Sequence, residues 1–203
     1  MKMSSLEKRL VNGGGHSRNV AENAVRSLET VPHRAGEKYL DVGCGNGAAA
    51  LLVARTSRLE VTGVDVDPEQ IRAAREASQE SEGGPAVRFE VADATRLPFE
   101  DETFDIVASF KTMHHVPEWK QALTEMARVL KPGGRLIVAD LVLPTWLAAI
   151  ARPLVGDRAS VLTRDALICL IEAQGLDVIR QRRSDAVVEL VGRRPCGFRR
   201  CAR

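Results

Sequence analysis

Residues 40–47 read Leu-Asp-Val-Gly-Cys-Gly-Asn-Gly, a short apolar run that closes on three alternate glycines, and the stretch from Ala48 to Arg55 that follows has a helix-forming composition. A strand that turns directly into a helix needs such glycines. Without a Cβ they adopt left-handed backbone conformations and let a ligand approach the main chain closely. From residue 37 onward, β-rich apolar runs at 37–42, 60–65, 86–91, 104–109, 134–141, 176–182 and 186–192 alternate with helix-like stretches. That alternation is the pattern of a mostly parallel sheet covered by helices on both faces, so the expected fold class is α/β. A chain of 203 residues fits one such domain.

The connecting segments carry their own signals. Asp67-Pro-Glu-Gln70 supplies an N-cap, a proline at the first helical position and a capping-box glutamine, so a helix is expected to start there. Another is expected from Pro117 and should stop at Lys131-Pro-Gly-Gly134, where proline cannot continue it. Asn19-Val-Ala-Glu22 has the same capping-box pattern and predicts a helix start after a hinge at Gly13-Gly-Gly15. Residues 141–155 are nearly all apolar, but they are too short and too proline-interrupted to span a bilayer.

Composition excludes several classes. A net charge of +2 gives no basic face, so no nucleic acid is expected as a partner. No apolar run is long enough for a membrane span, and the N-terminus lacks the apolar core of a secretory signal, so a cytoplasmic location is expected. Cys44, Cys169, Cys196 and Cys201 form no C-x-x-C pair and have no histidine at ligand spacing, so no metal is expected. Five arginines fall between Arg193 and Arg203, which reads first as a solvated tail and second as contact with an anionic partner.

The glycine loop by itself suits two nucleotide ligands, because Gly43-x-Gly45-x-x-Ala48 also satisfies the dinucleotide fingerprint. Three acids shift the balance. Asp41 stands beside the loop, where a carboxylate would repel a pyrophosphate but attract the ammonium and sulfonium of S-adenosylmethionine. Asp65 ends the second strand, where a carboxylate can accept both ribose hydroxyl protons in either ligand. Asp93 closes the third strand and can accept from an adenine amine. Each acid taken singly also reads as a loop or cap residue. A short-chain dehydrogenase would need a tyrosine four residues before a lysine; Tyr39 is the only tyrosine, and Gly43 stands four positions later.

In order along the chain, Leu40–Gly47, Val61-Thr-Gly-Val-Asp-Val-Asp-Pro68, Val91-Ala-Asp-Ala94 with Leu97-Pro-Phe99, Phe104-Asp-Ile-Val107, Met113-His-His-Val116 and Leu130-Lys-Pro-Gly-Gly-Arg-Leu-Ile-Val138 resemble class I S-adenosylmethionine-dependent methyltransferases. The branch that includes the ubiquinone and menaquinone C-methyltransferases is the most similar, over about residues 36–194. The resemblance implies a Rossmann-like three-layer sandwich with a seven-stranded, mostly parallel sheet in the order 3-2-1-4-5-7-6, strand 7 antiparallel. It implies that Gly43, Cys44 and Gly45 meet the methionine part of the cofactor, Asp65 and Val66 the ribose side, and Asp93 with the Ala94 amide the adenine. Ser109 and Phe110 would line the cofactor near its methyl group. The lids of such enzymes fall here at 1–35, before the methyltransferase domain of 36–194, and at 142–162, an insert within it, with 195–203 as a basic tail.

The activity implied is transfer of a methyl group to an O, N or C atom of a small-molecule acceptor, leaving S-adenosylhomocysteine. A non-catalytic S-adenosylmethionine-binding sensor or assembly subunit shares every one of these motifs. The apolar second lid, with Trp146, reads either as the wall for a hydrophobic acceptor or as lid packing and homodimer contact. A base is needed only if the acceptor carries a departing proton. His115, or its neighbour His114, stands where that base would face the acceptor, although the same residues could simply shape the loop; His16 in the first lid has a weaker claim.

Overall fold

The computed structural model describes residues 14–79, 87–143, 162–184 and 187–196. In chain order the elements are α1 (Gly14–Glu29), β1 (Lys38–Val42), α2 (Ala48–Ser57), β2 (Glu60–Asp65), α3 (Pro68–Gln79), β3 (Arg88–Val91), β4 (Phe104–Phe110), a 3₁₀ turn (Met113–His115), α4 (Trp119–Arg128), β5 (Leu130–Leu141), α5 (Arg164–Ala173), β6 (Asp177–Ser184) and β7 (Val187–Arg193). Among the described residues, seven strands form one sheet in the order β3-β2-β1-β4-β5-β7-β6, the order that the family resemblance implied. β7 runs antiparallel to both β5 and β6; the other neighbours pair in parallel.

The central strands have apolar residues on both faces because both faces are covered. Alternation along β1 sends Tyr39 to one core and Leu40 and Val42 to the other. The Tyr39 core is closed by Ala21, Ala24 and Leu28 of α1, Ala50 and Val53 of α2, and Ile71 and Ala74 of α3. The opposite core is closed by Leu123 and Met126 of α4 and by Leu167 and Ile171 of α5, packed on Val107, Leu136 and Leu190. The chain leaves β1 toward β2 on one side, and β4 lies on the other. At such a reversal the connecting loops diverge and a crevice opens at the carboxyl ends of the strands.

Several local expectations are corrected. α1 begins at Gly14, so Gly14 and Gly15 lie inside a helix and not in a hinge; Gly13 is outside the described residues. Asn19 is a helix-interior residue, and Glu22 pairs with Arg18 at 2.9 Å across one turn instead of closing a capping box. The helix after Pro117 stops at Arg128, earlier than the proline signal, because Leu130 already pairs with Phe104 as the first residue of β5. Lys131–Gly134 then lie within that strand, where the Gly133 N–H donates to Arg194 O at 2.9 Å and the Arg194 N–H to Gly134 O at 3.0 Å. Arg193 and Arg194 are therefore structural, not part of a solvated tail: Arg193 ends β7, and the Arg194 guanidinium donates to the carbonyls of Leu130 and Ala127. Most of the second lid, including Trp146, lies outside the described residues, as do His16's side chain and residues 197–203.

Candidate active site

The glycine loop folds back on β2: the N–H groups of Gly43 and Cys44 both donate to the Val64 carbonyl, at 2.8 and 2.9 Å. Gly43 and Gly47 sit at φ +77° and +80°. A Cβ at Gly43 would overlap the Thr112 side chain, and one at Gly47 would come within 2.8 Å of Ala74 Cβ and Phe89 Cζ. Any larger residue would therefore push the loop off its neighbours as well as strain it. The Gly45 N–H donates to Asp65 Oδ2 at 3.0 Å, which ties the loop to the end of the next strand.

This loop forms one wall of a cleft of about 380 Å³. Of the residues expected to hold a cofactor, Gly43, Cys44, Gly45, Asp65, Val66, Asp93, Ala94 and Phe110 all line it. Asp65 accepts a second backbone N–H, from Asp67 at 2.9 Å, and burial raises its pKa against the opposing effect of these donors. The same hydrogen bond explains the missing capping box at α3. The Asp67 N–H is already taken, so Gln70 turns into the cleft, 7% exposed, with Oε1 unpartnered. Asp67 still caps the helix, accepting the Glu69 N–H at 3.0 Å. Asp93 is exposed; its Oδ1 accepts the Thr95 N–H and hydroxyl at 2.8 Å each, and these bonds lower its pKa.

Asp41 and Ser109 do not reach the cleft wall. Ser109 is buried and donates to the Val42 carbonyl at 3.0 Å, tying β4 to β1. Asp41 is 2% exposed behind the loop, with Oδ2 unpartnered. Burial first, and repulsion from Asp65 second, push its pKa from 3.8 to about 7. Between those two values the folded state holds a proton that the unfolded chain has released, so stability falls as pH rises through that window. Asp41→Asn removes the buried charge and is expected to raise Tm over wild type at pH 8 but hardly at pH 4. Equal shifts at both pH values would show that the carboxylate is not strained.

Across the cleft stands a constellation that the sequence reading missed in part. Asp140, fully buried at the end of β5, accepts the N–H groups of Thr112 (2.9 Å) and Met113 (2.7 Å) at Oδ2 and that of Leu141 (2.7 Å) at Oδ1. His114 Nδ1 lies 2.5 Å from the same Oδ1. A carboxylate only accepts hydrogen bonds, so Nδ1 carries the proton, and in the neutral ring Nε2, the far nitrogen, is the acceptor. His114 is partly buried and lines the cleft. His115 also lines it, exposed at its mouth, with its ring centroid 3.9 Å from that of His114. The acid in Leu136-Ile-Val-Ala-Asp-Leu141 was the available signal for Asp140, being a carboxylate in an otherwise apolar run. Among the described residues no group of side chains has the makings of a metal site, and no helix is long and apolar enough to cross a membrane.

A glycine loop facing three strand ends, on a sheet of this order, defines the Rossmann-like methyltransferase architecture. Residues 40–138 match the model of the methyltransferase-domain family. The chain is 36% identical over 170 residues to methyltransferase GfsG of Streptomyces halstedii, covering 79% of this chain and 61% of that one. It is 39% identical over 113 residues to 27-O-demethylrifamycin SV methyltransferase of Amycolatopsis mediterranei, covering 56% of this chain and 42% of that one. Similarity to 2-methyl-6-phytyl-1,4-hydroquinone methyltransferase of Synechocystis is 38% over 113 residues, 56% of this chain and 34% of that one. The chain thus spans between a third and about three fifths of the length of these relatives.

Among solved structures, magnesium protoporphyrin IX methyltransferase from Synechocystis, crystallised with S-adenosylhomocysteine, superposes with TM-score 0.71 at 20% identity, covering 96% of this chain and 89% of that one. The [4+2]-cyclase SpnF superposes with TM-score 0.75 at 23% identity, over 87% and 81% of the two chains. Likenesses at these identities speak for the fold alone, and the second shows that the fold carries more than one chemistry.

Proposed function

We propose that the domain binds S-adenosylmethionine along the glycine loop and transfers its methyl group to a hydroxyl oxygen of a small, partly apolar acceptor. The observation that carries this reading is the Asp140-anchored His114 facing the same cleft as the loop. The pocket fits the donor. The unpartnered Gln70 Oε1 offers an acceptor for a hydroxyl or amine proton, and Asp65 keeps lone pairs beyond its two backbone donors. Gly43, Cys44 and Gly45 would meet the methionine part, Asp65 with Val66 the ribose, and Asp93 with Ala94 the adenine. Asp41, behind the loop, acts as a buried negative charge that favours a cationic ligand without touching it.

The sulfonium supplies an already activated methyl group. The chain's residues therefore have to align the acceptor, exclude water and take a proton; alignment alone is worth roughly 7–11 kcal/mol. Phe110, Val116 and Leu141 give the acceptor end apolar walls, which suits a hydrophobic molecule. His114 Nε2 takes the hydroxyl proton as the O–CH3 bond forms, and Asp140 stabilises the resulting imidazolium. His115, the first of the two bases offered by the sequence, packs its ring against that of His114 at a tilt of 41° and lines the same cleft.

The test is incubation with methyl-tritiated S-adenosylmethionine and a small-molecule extract fractionated by polarity, alongside thermal shifts with S-adenosylhomocysteine and NAD. Label in a small-molecule fraction, with stabilisation by S-adenosylhomocysteine, is the expected result. Stabilisation by NAD alone overturns the donor assignment. Binding of S-adenosylhomocysteine with no label moved in any fraction makes the protein a sensor or assembly subunit.

A further inference from the structure

Lys111 follows the last residue of β4 and lines the cleft between Phe110 and Thr112. Among the described residues of the cleft wall it is the sole lysine or arginine. Asp65, Asp67 and Asp93 stand at the ends of β2 and β3, on the side of the glycine loop, whereas Lys111 stands at the end of β4 with His114, His115 and Leu141 nearby on the wall. Three of the four carboxylates on the cleft wall thus stand on the side where a cationic donor is expected; the fourth, Glu118, precedes α4 on the side of Lys111, which carries the wall's one lysine or arginine charge among the described residues. No carboxylate among the described residues lies within ion-pair distance of the half-buried Lys111, whereas Lys131 near the start of β5 pairs with Asp105 at 2.7 Å and Arg128 at the end of α4 with Asp101 at 2.8 Å.

The backbone at Lys111 is unusual as well. Its φ is +52°, a left-handed conformation that disfavours a lysine and costs a glycine almost nothing. The other non-glycine residues with positive φ among the described residues, Arg58 and Glu102, are exposed. At Lys111 the conformation is fixed from both sides: its N–H donates to Ala139 O at 2.7 Å, and the next two N–H groups go to Asp140. Strained residues held this firmly cluster at functional sites. The same hydrogen bonds that hold the His114 anchor thus also hold a cation beside it.

We infer that Lys111 is an anion-reading subsite at the acceptor end of the cleft, and that the acceptor carries a carboxylate or phenolate oxygen that pairs with its ammonium. The inference rests on the methyl-transfer reading. An anion there supplies the missing counter-charge and places the neighbouring hydroxyl beside His114, with charge-assisted hydrogen bonding as the source of selectivity. A carboxylate could also come from the methionine part of the donor, so the test separates the two sources.

The full-length chain saturated with S-adenosylhomocysteine is titrated with benzoate and with benzyl alcohol, a matched anionic and neutral pair, by calorimetry or saturation-transfer NMR. Wild type is expected to prefer benzoate. Lys111→Met, which keeps the length and the backbone strain, should weaken benzoate about tenfold or more and leave benzyl alcohol unchanged, while Lys111→Arg keeps the preference. S-adenosylhomocysteine affinity should stay within twofold in both variants. No preference in wild type, or a preference that survives Lys111→Met, overturns the inference. A tenfold loss of S-adenosylhomocysteine affinity in Lys111→Met, absent for its decarboxylated analogue, assigns the lysine to the donor and also overturns it. Failure of S-adenosylhomocysteine to bind wild type instead sinks the methyl-transfer reading; the benzoate preference is then read without it.

Discussion

Asp65→Ala is expected to weaken S-adenosylhomocysteine binding by more than tenfold, and by about a hundredfold if both losses it causes are felt. One loss is the acceptor for the ribose hydroxyls, at about 1.5–3 kcal/mol for a hydrogen bond to a charged group. The other is internal: Asp65 accepts the N–H groups of Gly45 and Asp67, so its removal unties the glycine loop from β2 and leaves two backbone donors without their partner. Asp65→Asn should fail in the same way, because one amide group cannot accept at both positions where Asp65 has an oxygen. Titration calorimetry gives the answer directly, and unchanged affinity in the alanine variant removes the ribose role. A thermal melt without ligand separates the two losses, since only the untied loop lowers Tm in the free protein.

His114→Ala is expected to reduce kcat by about a hundredfold to ten-thousandfold, the usual range for a positioned general base, with S-adenosylhomocysteine affinity nearly intact. The reason for choosing His114 over His115 is its anchor. Asp140 holds Nδ1 at 2.5 Å and fixes the tautomer, whereas His115 is exposed, its ring packed against that of His114. Asp140→Asn should share much of the kcat loss, and it should also lower Tm, because Oδ1 and Oδ2 together hold the backbone of Thr112, Met113 and Leu141. His115→Ala should cost far less turnover. A larger loss in His115→Ala than in His114→Ala would move the base to His115, and equal turnover in both variants would leave the reaction without a histidine base. The rate against pH offers an independent reading, since removing the base removes the limb on which it must be deprotonated.

The strands were legible because they rest on local patterns, whereas their order was expected only from the family resemblance. A strand buried on both faces is a run of apolar residues, and a glycine-rich turn into a helix has a fixed chemistry. The acids at the ends of β2 and β3 were legible for the same reason, since a strand's carboxyl end is where its apolar run stops. Gln70 was misread because its role depended on whether the Asp67 N–H was already taken, and that was decided by Asp65. Asp41 was read as a ligand of the cleft. The structure puts it behind the loop, since alternation along β1 sends it to the same side as Tyr39, under α1 and α2.

By itself, then, the sequence determined the α/β architecture, the glycine loop and the chain positions of the acids that face it, all of which follow from patterns within about ten residues. The tertiary structure alone decided which histidine is anchored and which cation lines the cleft. Asp140 and His114 are 26 residues apart, and they meet only because β5 lies beside β4 in the sheet. That adjacency comes from long-range strand pairing, a property of the whole sheet that no short window of sequence contains.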